Sequence, residues 1–231
     1  MRDLNLAGVR AYRLIIRLDD YVWFASHEWA NDNETAPVLH GYALSFGLSR
    51  RDRVLTLGGV PTYEEDLAAM PVYCTPASLA ARDSAKGTRT VLTFNSIDEP
   101  TQLTQALGIG DKVNDPKFGR RQVLVPGLRF ELVAFARFES RLPRVFRLGK
   151  KRSPVVVEVS EELTGKRYRG GATPWHAVSP LDVAGRVVRC VPRAIPPHLV
   201  FERAEIEDDY FLANDRGPVH LPKRVQEWLS E

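Results

Sequence analysis

The spacing of apolar residues changes period along the chain, and each change marks an element. In residues 10–18, Tyr12, Leu14, Ile16 and Leu18 share one face while Arg13 and Arg17 take the other, which predicts a half-buried strand. Asp19-Asp20 turns the chain, and the aromatic run Tyr21-Val22-Trp23-Phe24 leads to a polar loop at Asn31-Asp32-Asn33. Thr35 then reads as a helix N-cap with Pro37 just inside. Val38, Leu39, Tyr42, Ala43 and Phe46 follow at helical spacing through Leu48. Strand, aromatic loop and helix in that order suit the first half of a ferredoxin-like βαβ unit, whose crossover helix covers one sheet face.

Residues 54–57, 72–75 and 90–95 predict short strands, and residues 63–69 and 101–107 short helices, the second ended by Gly108. Residues 112–119 read as an exposed loop. The clearest strand follows Pro126-Gly127: from Leu128 to Glu139 every even position is apolar and most odd ones are charged. That pattern predicts burial of one face, as in antiparallel sheets. Residues 155–159 supply a β-branched partner. Residues 187–191 and 198–203 predict short strands between proline joints, and residues 219–229 a terminal helix that packs Val225 and Leu229 inward.

Composition narrows the class. In 231 residues, 44% are hydrophobic, enough for a substantial core and against global disorder. No apolar run approaches the roughly 20 residues of a membrane span, and the first residues resemble neither a secretory nor a transit signal. Cys74 and Cys190 lie far apart, with no C-x-x-C pair and no histidine at ligand spacing. A reducing, cytoplasmic setting is expected, with both thiols acting as small buried hydrophobes and neither a disulfide framework nor a metal site.

Net charge is only +3, but it is unevenly spread. Residues 120–169 hold thirteen Lys and Arg against five acids, whereas residues 202–209 hold five acids against Arg203. The basic stretch suits a local polyanion-binding surface; charge alone serves a solvated face equally well. Within it, Arg147-Leu148-Gly149-Lys150-Lys151-Arg152 joins two predicted strands. Gly149 permits close backbone approach and positive φ, and the cations can neutralise phosphates. The second glycine and the Ser/Thr of a P-loop are missing, so nucleotide hydrolysis is not implied. Arg120-Arg121, after Lys117-Phe118-Gly119, forms a second basic site with an aromatic neighbour that either stacks a base or anchors the loop. Trp23, Phe24 and Trp29 offer stacking surfaces or core; core is the stronger reading.

None of the five histidines falls in a metal-ligand or H-E-x-x-H spacing. A metal-independent ribonuclease would need a general base and a cation near an RNA 2′-hydroxyl, roles that His27 or His40 with Lys150 would fill. A structural reading of each histidine outweighs that one.

Several segments, in order and spacing, resemble the Csc1 family, the Cas5-type proteins of type I-D CRISPR systems. They are Tyr12 to Phe24, Tyr42-Ala43-Leu44, Pro61 to Leu67, Val72 to Ala77, Thr93 to Asp98, Gly119-Arg120, Pro126 to Phe130 and Arg147 to Arg152. The resemblance covers residues 12–159. It implies an α+β fold with a ferredoxin-like (RRM-like) RAMP core built on an antiparallel sheet. Residues 1–159 would form that core with inserted loops, and residues 160–231 a strand-rich C-terminal extension packed on it.

The resemblance also implies a non-catalytic subunit of a type I-D Cascade. It would grip the 5′ handle of the crRNA beside the large subunit and the backbone RAMP subunits, away from any membrane and without a cofactor. Contact of the C-terminal half with target DNA stays open. The expected RNA-binding set is Arg147, Gly149, Lys150, Lys151 and Arg152, with Arg120 and Arg121. The alternative is a metal-independent endoribonuclease that processes the crRNA precursor.

Overall fold

The computed structural model describes residues 8–24, 26–29, 32–49, 66, 69–83, 87–95, 118–137, 140–195, 198–213 and 216–230. In chain order the strands begin with β1 (Val9–Leu18), β2 (His27–Trp29), β3 (Asp32–Glu34) and β4 (Val38–Leu39), followed by helix α1 (Gly41–Ser49). Next come β5 (Val72–Cys74), β6 (Ala77–Leu79), β7 (Arg89–Asn95), β8 (Phe118–Leu124), β9 (Arg129–Arg137), β10 (Val145–Leu148) and β11 (Ser153–Leu163). The chain closes with β12 (Gly165–Ala172), β13 (Arg186–Ile195), β14 (His198–Ala213), β15 (Gly217–His220) and helix α2 (Lys223–Trp228). The strands predicted at residues 54–57 and the helix at 101–107 lie outside the described residues. Of the helix predicted at 63–69, Asp66 and Ala69 are described and helical.

A seven-stranded antiparallel sheet runs β10-β11-β1-β9-β6-β4, with β5 also paired to β9. Its central strand is β1, where Leu14 lies opposite Leu132 on one side and Ser160 on the other. The alternation read from the sequence sets its packing: Leu14, Ile16 and Leu18 join Phe130, Leu132, Ala134 and Ala136 beneath Leu44 and Leu48 of α1. Burial of the Leu, Ile and Phe side chains among these supplies about 1.5–3 kcal/mol each.

Helix α1 begins later than predicted. Thr35 caps nothing: its hydroxyl accepts from Phe24 N (3.1 Å) and donates to Phe24 O (2.9 Å). Val38 and Leu39 pair with β6 as a short strand. The helix starts at Gly41, where a Cβ would stand 2.3 Å from the Cys74 carbonyl oxygen. Ser45 Oγ donates to Gly41 O and accepts from Cys74 N, both at 2.8 Å, which stitches helix to strand.

The alternation of β9 predicts one buried face, but from Leu132 to Ala136 both faces are buried. Val133 and Phe135 pack with Phe211, Val219, Leu221, Val225 and Trp228, which belong to the C-terminal strands and α2. The Phe135 and Phe211 rings meet edge-on, centroids 6.4 Å apart. Apolar odd positions in mid-strand were the sign that a second layer covers the sheet there. Further along the same face, Arg13, Arg17, Arg129, Glu131 and Glu158 form ion pairs instead.

The C-terminal sheet, β12-β14-β13 with β15 on β14, is antiparallel throughout. Its strands exceed the predicted lengths, with β14 reaching 16 residues. Residues 219–229 divide into the end of β15 and α2, because Pro222 interrupts them. Val225 is buried and Leu229 half-buried, as the predicted inward face requires. Asp208 ties these parts together: it accepts from His220 Nε2 (3.0 Å), Ala184 N (2.8 Å), Asp209 N (2.7 Å) and Gln226 Nε2 (3.1 Å). Burial works against its charge, yet those donors hold its carboxyl below the usual range.

A smaller sheet, β2-β3-β8-β7, stands beside the large one, with β3 and β8 parallel. Phe118 and Gly119 belong to β8, so the end of the loop predicted at 112–119 is strand; the rest of it lies outside the described residues. Cys74 is buried and Cys190 half-buried, and both are free thiols. Among the described residues no helix is long and apolar enough to cross a membrane.

Candidate nucleic-acid interface

The aromatic run after β1 is laid against the small sheet by a two-way bridge: Val22 N donates to Leu124 O (3.1 Å) and Leu124 N to Val22 O (2.8 Å). Onto this run comes the β10–β11 turn. Leu148 pairs with Ser153, so residues 149–152 form a four-residue connection, closed by Arg152 N donating to Gly149 O at 3.0 Å. Ser153 Oγ donates to the Tyr21 carbonyl, and Lys150 N donates to the Trp23 carbonyl at 3.1 Å.

Gly149 is required twice over. Its φ is +75°, and a Cβ there would lie 2.9 Å from Trp23 O and 3.2 Å from Val22 Cγ1. Arg152 adopts φ 54° without glycine's freedom, a left-handed conformation that costs roughly 1–2 kcal/mol. The turn therefore holds three exposed cations, Lys150, Lys151 and Arg152, against the Trp23 backbone.

Trp23 is only 8% exposed. The Arg121 guanidinium carbon lies 4.4 Å from the centroid of its ring, and Lys150 Nζ lies 5.0 Å from it, both within cation–π range. Beside them opens a cleft of about 170 Å³ that Asp20, Tyr21, Leu92 and Lys151 help to line. Core placement, the stronger reading of the aromatics, holds for Trp23; Phe24 is half-buried against the same core.

The seven expected residues do not lie together in one cluster. Arg121, Gly149, Lys150 and Lys151 come together around Trp23. Arg147 is exposed on β10 and its Nη1 donates to Arg152 O (3.3 Å), bracing the turn. Arg120 leaves the group because neighbours on a strand point to opposite faces. It bonds to Asp32 at 2.8 and 3.3 Å and borders a separate cleft with Glu34 and Gln122. The Arg120 hydrogen bond holds the Asp32 carboxyl below its ordinary range, and Asp32 raises Arg120 in return.

Tyr21, Asp20 and Leu92 were not singled out by sequence reasoning as lining a site. The aromatic run hinted at Tyr21, whereas Leu92 lies 71 positions from Tyr21 and carried no signal beyond its strand.

Pairing across strands redistributes the charge runs. Four of the five acids of residues 202–209 meet arginines on β12 and β13, which flank β14: Arg193–Glu202, Arg189–Glu205, Arg186–Glu207 and Arg167–Asp209. On β11, Glu158 bonds to Arg17 (2.7 Å) and Arg129 (2.6 Å).

Of the histidines considered for base catalysis, His27 lies on β2 of the small sheet. His40 packs against Tyr42 and His198, ring centroids 4.6 and 4.3 Å away, and its Nδ1 accepts from Tyr42 N at 3.2 Å. Burial, then the neighbouring His198, pushes it down to about 4. Among the described residues no three His, Cys, Asp or Glu side chains gather as a metal centre requires.

The family model of the type I-D CRISPR-associated protein Cas5/Csc1 matches residues 9–228. The chain belongs to that family. The match extends the resemblance seen in residues 12–159 to nearly the whole chain, C-terminal sheet included. As a Cas5/Csc1 protein it is a subunit of a CRISPR Cascade.

No curated protein matches the chain. Two solved structures are similar to this Cas5/Csc1 chain. One is a chain in the cryo-EM structure of the type III-B Cmr-beta bound to cognate target RNA and AMPPnP, with 8% identity over 84% of this chain and 83% of that one, TM-score 0.39. The other is the crystal structure of a CRISPR protein from Archaeoglobus fulgidus, with 10% identity over 90% and 98%, TM-score 0.37.

Proposed function

We propose that this Cas5/Csc1 chain is a non-catalytic, cytoplasmic subunit of a type I-D Cascade. It grips the 5′ handle of the crRNA and caps the backbone RAMP subunits next to the large subunit. The observation that carries this reading is the Gly149 turn: three exposed cations held against an aromatic floor that also carries Arg121. Phosphates bind to such cations by counterion release, while an aromatic cleft accepts unstacked bases. Guide pairing would read the target while this subunit holds backbone and shape.

The sheet supports a ferredoxin-like RAMP core. Strands β11, β1, β9 and β5/β6 lie side by side, antiparallel, with α1 between β1 and β5; this is the last-first-third-second order of that fold. In the described part of the link from β9 to β11, strand β10 stands instead of a second helix. We read residues 1–159 as this core and residues 160–231 as its extension, with β11 running through the division.

The test uses Cascade assembled with crRNA. Reversing Lys150, Lys151 and Arg152 to Glu is expected to lose crRNA retention; retention and assembly left intact would favour a protein scaffold that touches RNA little. Incubating the chain with repeat RNA in EDTA is expected to leave the RNA whole. Specific cleavage lost in His27→Ala or His40→Ala would establish the endoribonuclease instead.

A further inference from the structure

We infer that the cleft beside Trp23 is a subsite for one unstacked nucleotide and that it selects guanine. This rests on the RNA-binding reading above and adds to it a position and a base identity.

The size of the cleft sets the first limit. At about 170 Å³ it is smaller than the roughly 300–1,000 Å³ of sites for drug-sized ligands, so it suits a single base. Its mouth supplies the stacking surface. Tyr21 is 40% exposed and Leu92 37% exposed, and both line the cleft, Tyr21 from the segment after β1 and Leu92 from β7 of the small sheet. A base between an aromatic ring and an aliphatic side chain buries both of its faces. The bonds Ser153 Oγ to Tyr21 O and Val22 N to Leu124 O hold the peptide unit that follows Tyr21 from two directions.

Base identity comes from Asp20. Its Oδ1 accepts from Tyr21 N at 2.7 Å, which orients the carboxylate within the cleft lining. An ionised carboxylate only accepts hydrogen bonds. Guanine alone offers two adjacent donors, N1–H and the N2 amino group, on its pairing edge. Uracil's N3–H lies between two carbonyls that a carboxylate repels. Adenine and cytosine offer one amino group beside a bare ring nitrogen. Lys151, on the lining of the same cleft, is placed for the phosphate of the nucleotide held there. Arg121 stiffens the floor through Trp23.

Fluorescence anisotropy on the intact chain, with a labelled short oligouridylate and the same oligomer carrying one central guanosine, inosine or adenosine, tests this. One guanosine is expected to tighten binding about tenfold over uridine. Inosine, which lacks the N2 amino group, should lose most of that gain. Asp20→Asn should cut the guanosine preference to less than about twofold, whereas Val91→Ser, on the other face of the small sheet, should keep it. Equal binding of all four oligomers overturns the subsite and leaves RNA binding standing. A guanosine preference that survives in Asp20→Asn overturns its assignment to this cleft. No binding of any oligomer at low salt overturns the RNA-binding reading and the subsite with it.

Discussion

The guanidinium of Arg121 lies over the ring of Trp23, 4.4 Å from carbon to centroid, while its chain neighbour Arg120 bonds to Asp32 on the opposite face of β8. Arg121 is 3% exposed with its guanidinium over the Trp23 ring, so Arg121→Ala removes packing along with charge. The expected cost is about 2–3 kcal/mol in urea denaturation. Arg120→Ala breaks a solvent-facing pair and should stay within about 0.5 kcal/mol.

The turn makes a second pair of opposite outcomes. Gly149→Ala forces a Cβ against the Trp23 carbonyl at positive φ and should destabilise by about 1–3 kcal/mol, lowering the melting temperature. Arg152→Gly relieves the left-handed strain and should raise stability by about 1 kcal/mol while removing a cation. A protein that is more stable yet weaker for RNA would separate the turn's charge from its shape.

Stability should rise with pH between about 5 and 6. Burial holds His40 down to about 4 and, together with His220 and against the bond to Ala177 O, His176 down to about 3. The unfolded chain protonates both below about 6.5 and the folded one does not, so stability is lost as pH falls through that window. Asp182 acts the other way: burial, opposed by the Tyr73 hydroxyl, pushes it up to about 7. Folded protein keeps that proton where the unfolded chain, above about 4, has released it, so its contribution is lost as pH rises toward 7. Two imidazole protons against one carboxyl proton leave a slope on the order of 1 kcal/mol per pH unit. Asp182→Asn removes the opposing group, and urea melts at pH 5 and 6 should then show the slope about doubled.

Helix α2 covers the second face of β9. Trp228 is buried there, edge-on to Tyr73 with centroids 6.5 Å apart, and Arg137 lies over its ring at 5.2 Å. Trp228→Ala should cost about 3–5 kcal/mol and increase binding of a hydrophobic dye as Val133 and Phe135 lose their cover. Leu229→Ala, half-buried at the same site, should cost less.

Local signals located much of this architecture. The alternation of Tyr12, Leu14, Ile16 and Leu18 became the central strand, and Gly149 among cations became a tight hairpin. Where local logic failed, a distant partner had changed the outcome. Thr35 resembles a cap, yet its hydroxyl is taken by the Phe24 backbone, and Val38 and Leu39 are drawn into pairing with β6. Val133 and Phe135 sit at positions an exposed face would fill with charge, and the C-terminal strands together with α2 explain them.

Periodicity and turn chemistry depend on neighbours within a few residues, so the sequence by itself determined where the main strands β1, β9 and β11 run and where the basic hairpin closes. It also carried the family's ordered segments. Which cations face one another depends on strand register and on contacts across a hundred residues or more, as between Trp23 and Lys150. Only the tertiary structure decided that four of the five acids of residues 202–209 bond to arginines on β12 and β13, that Arg120 and Arg121 part company, and that Tyr21 and Leu92 line one cleft. A strand's two faces are equivalent in the chain and become different only when something packs against one of them.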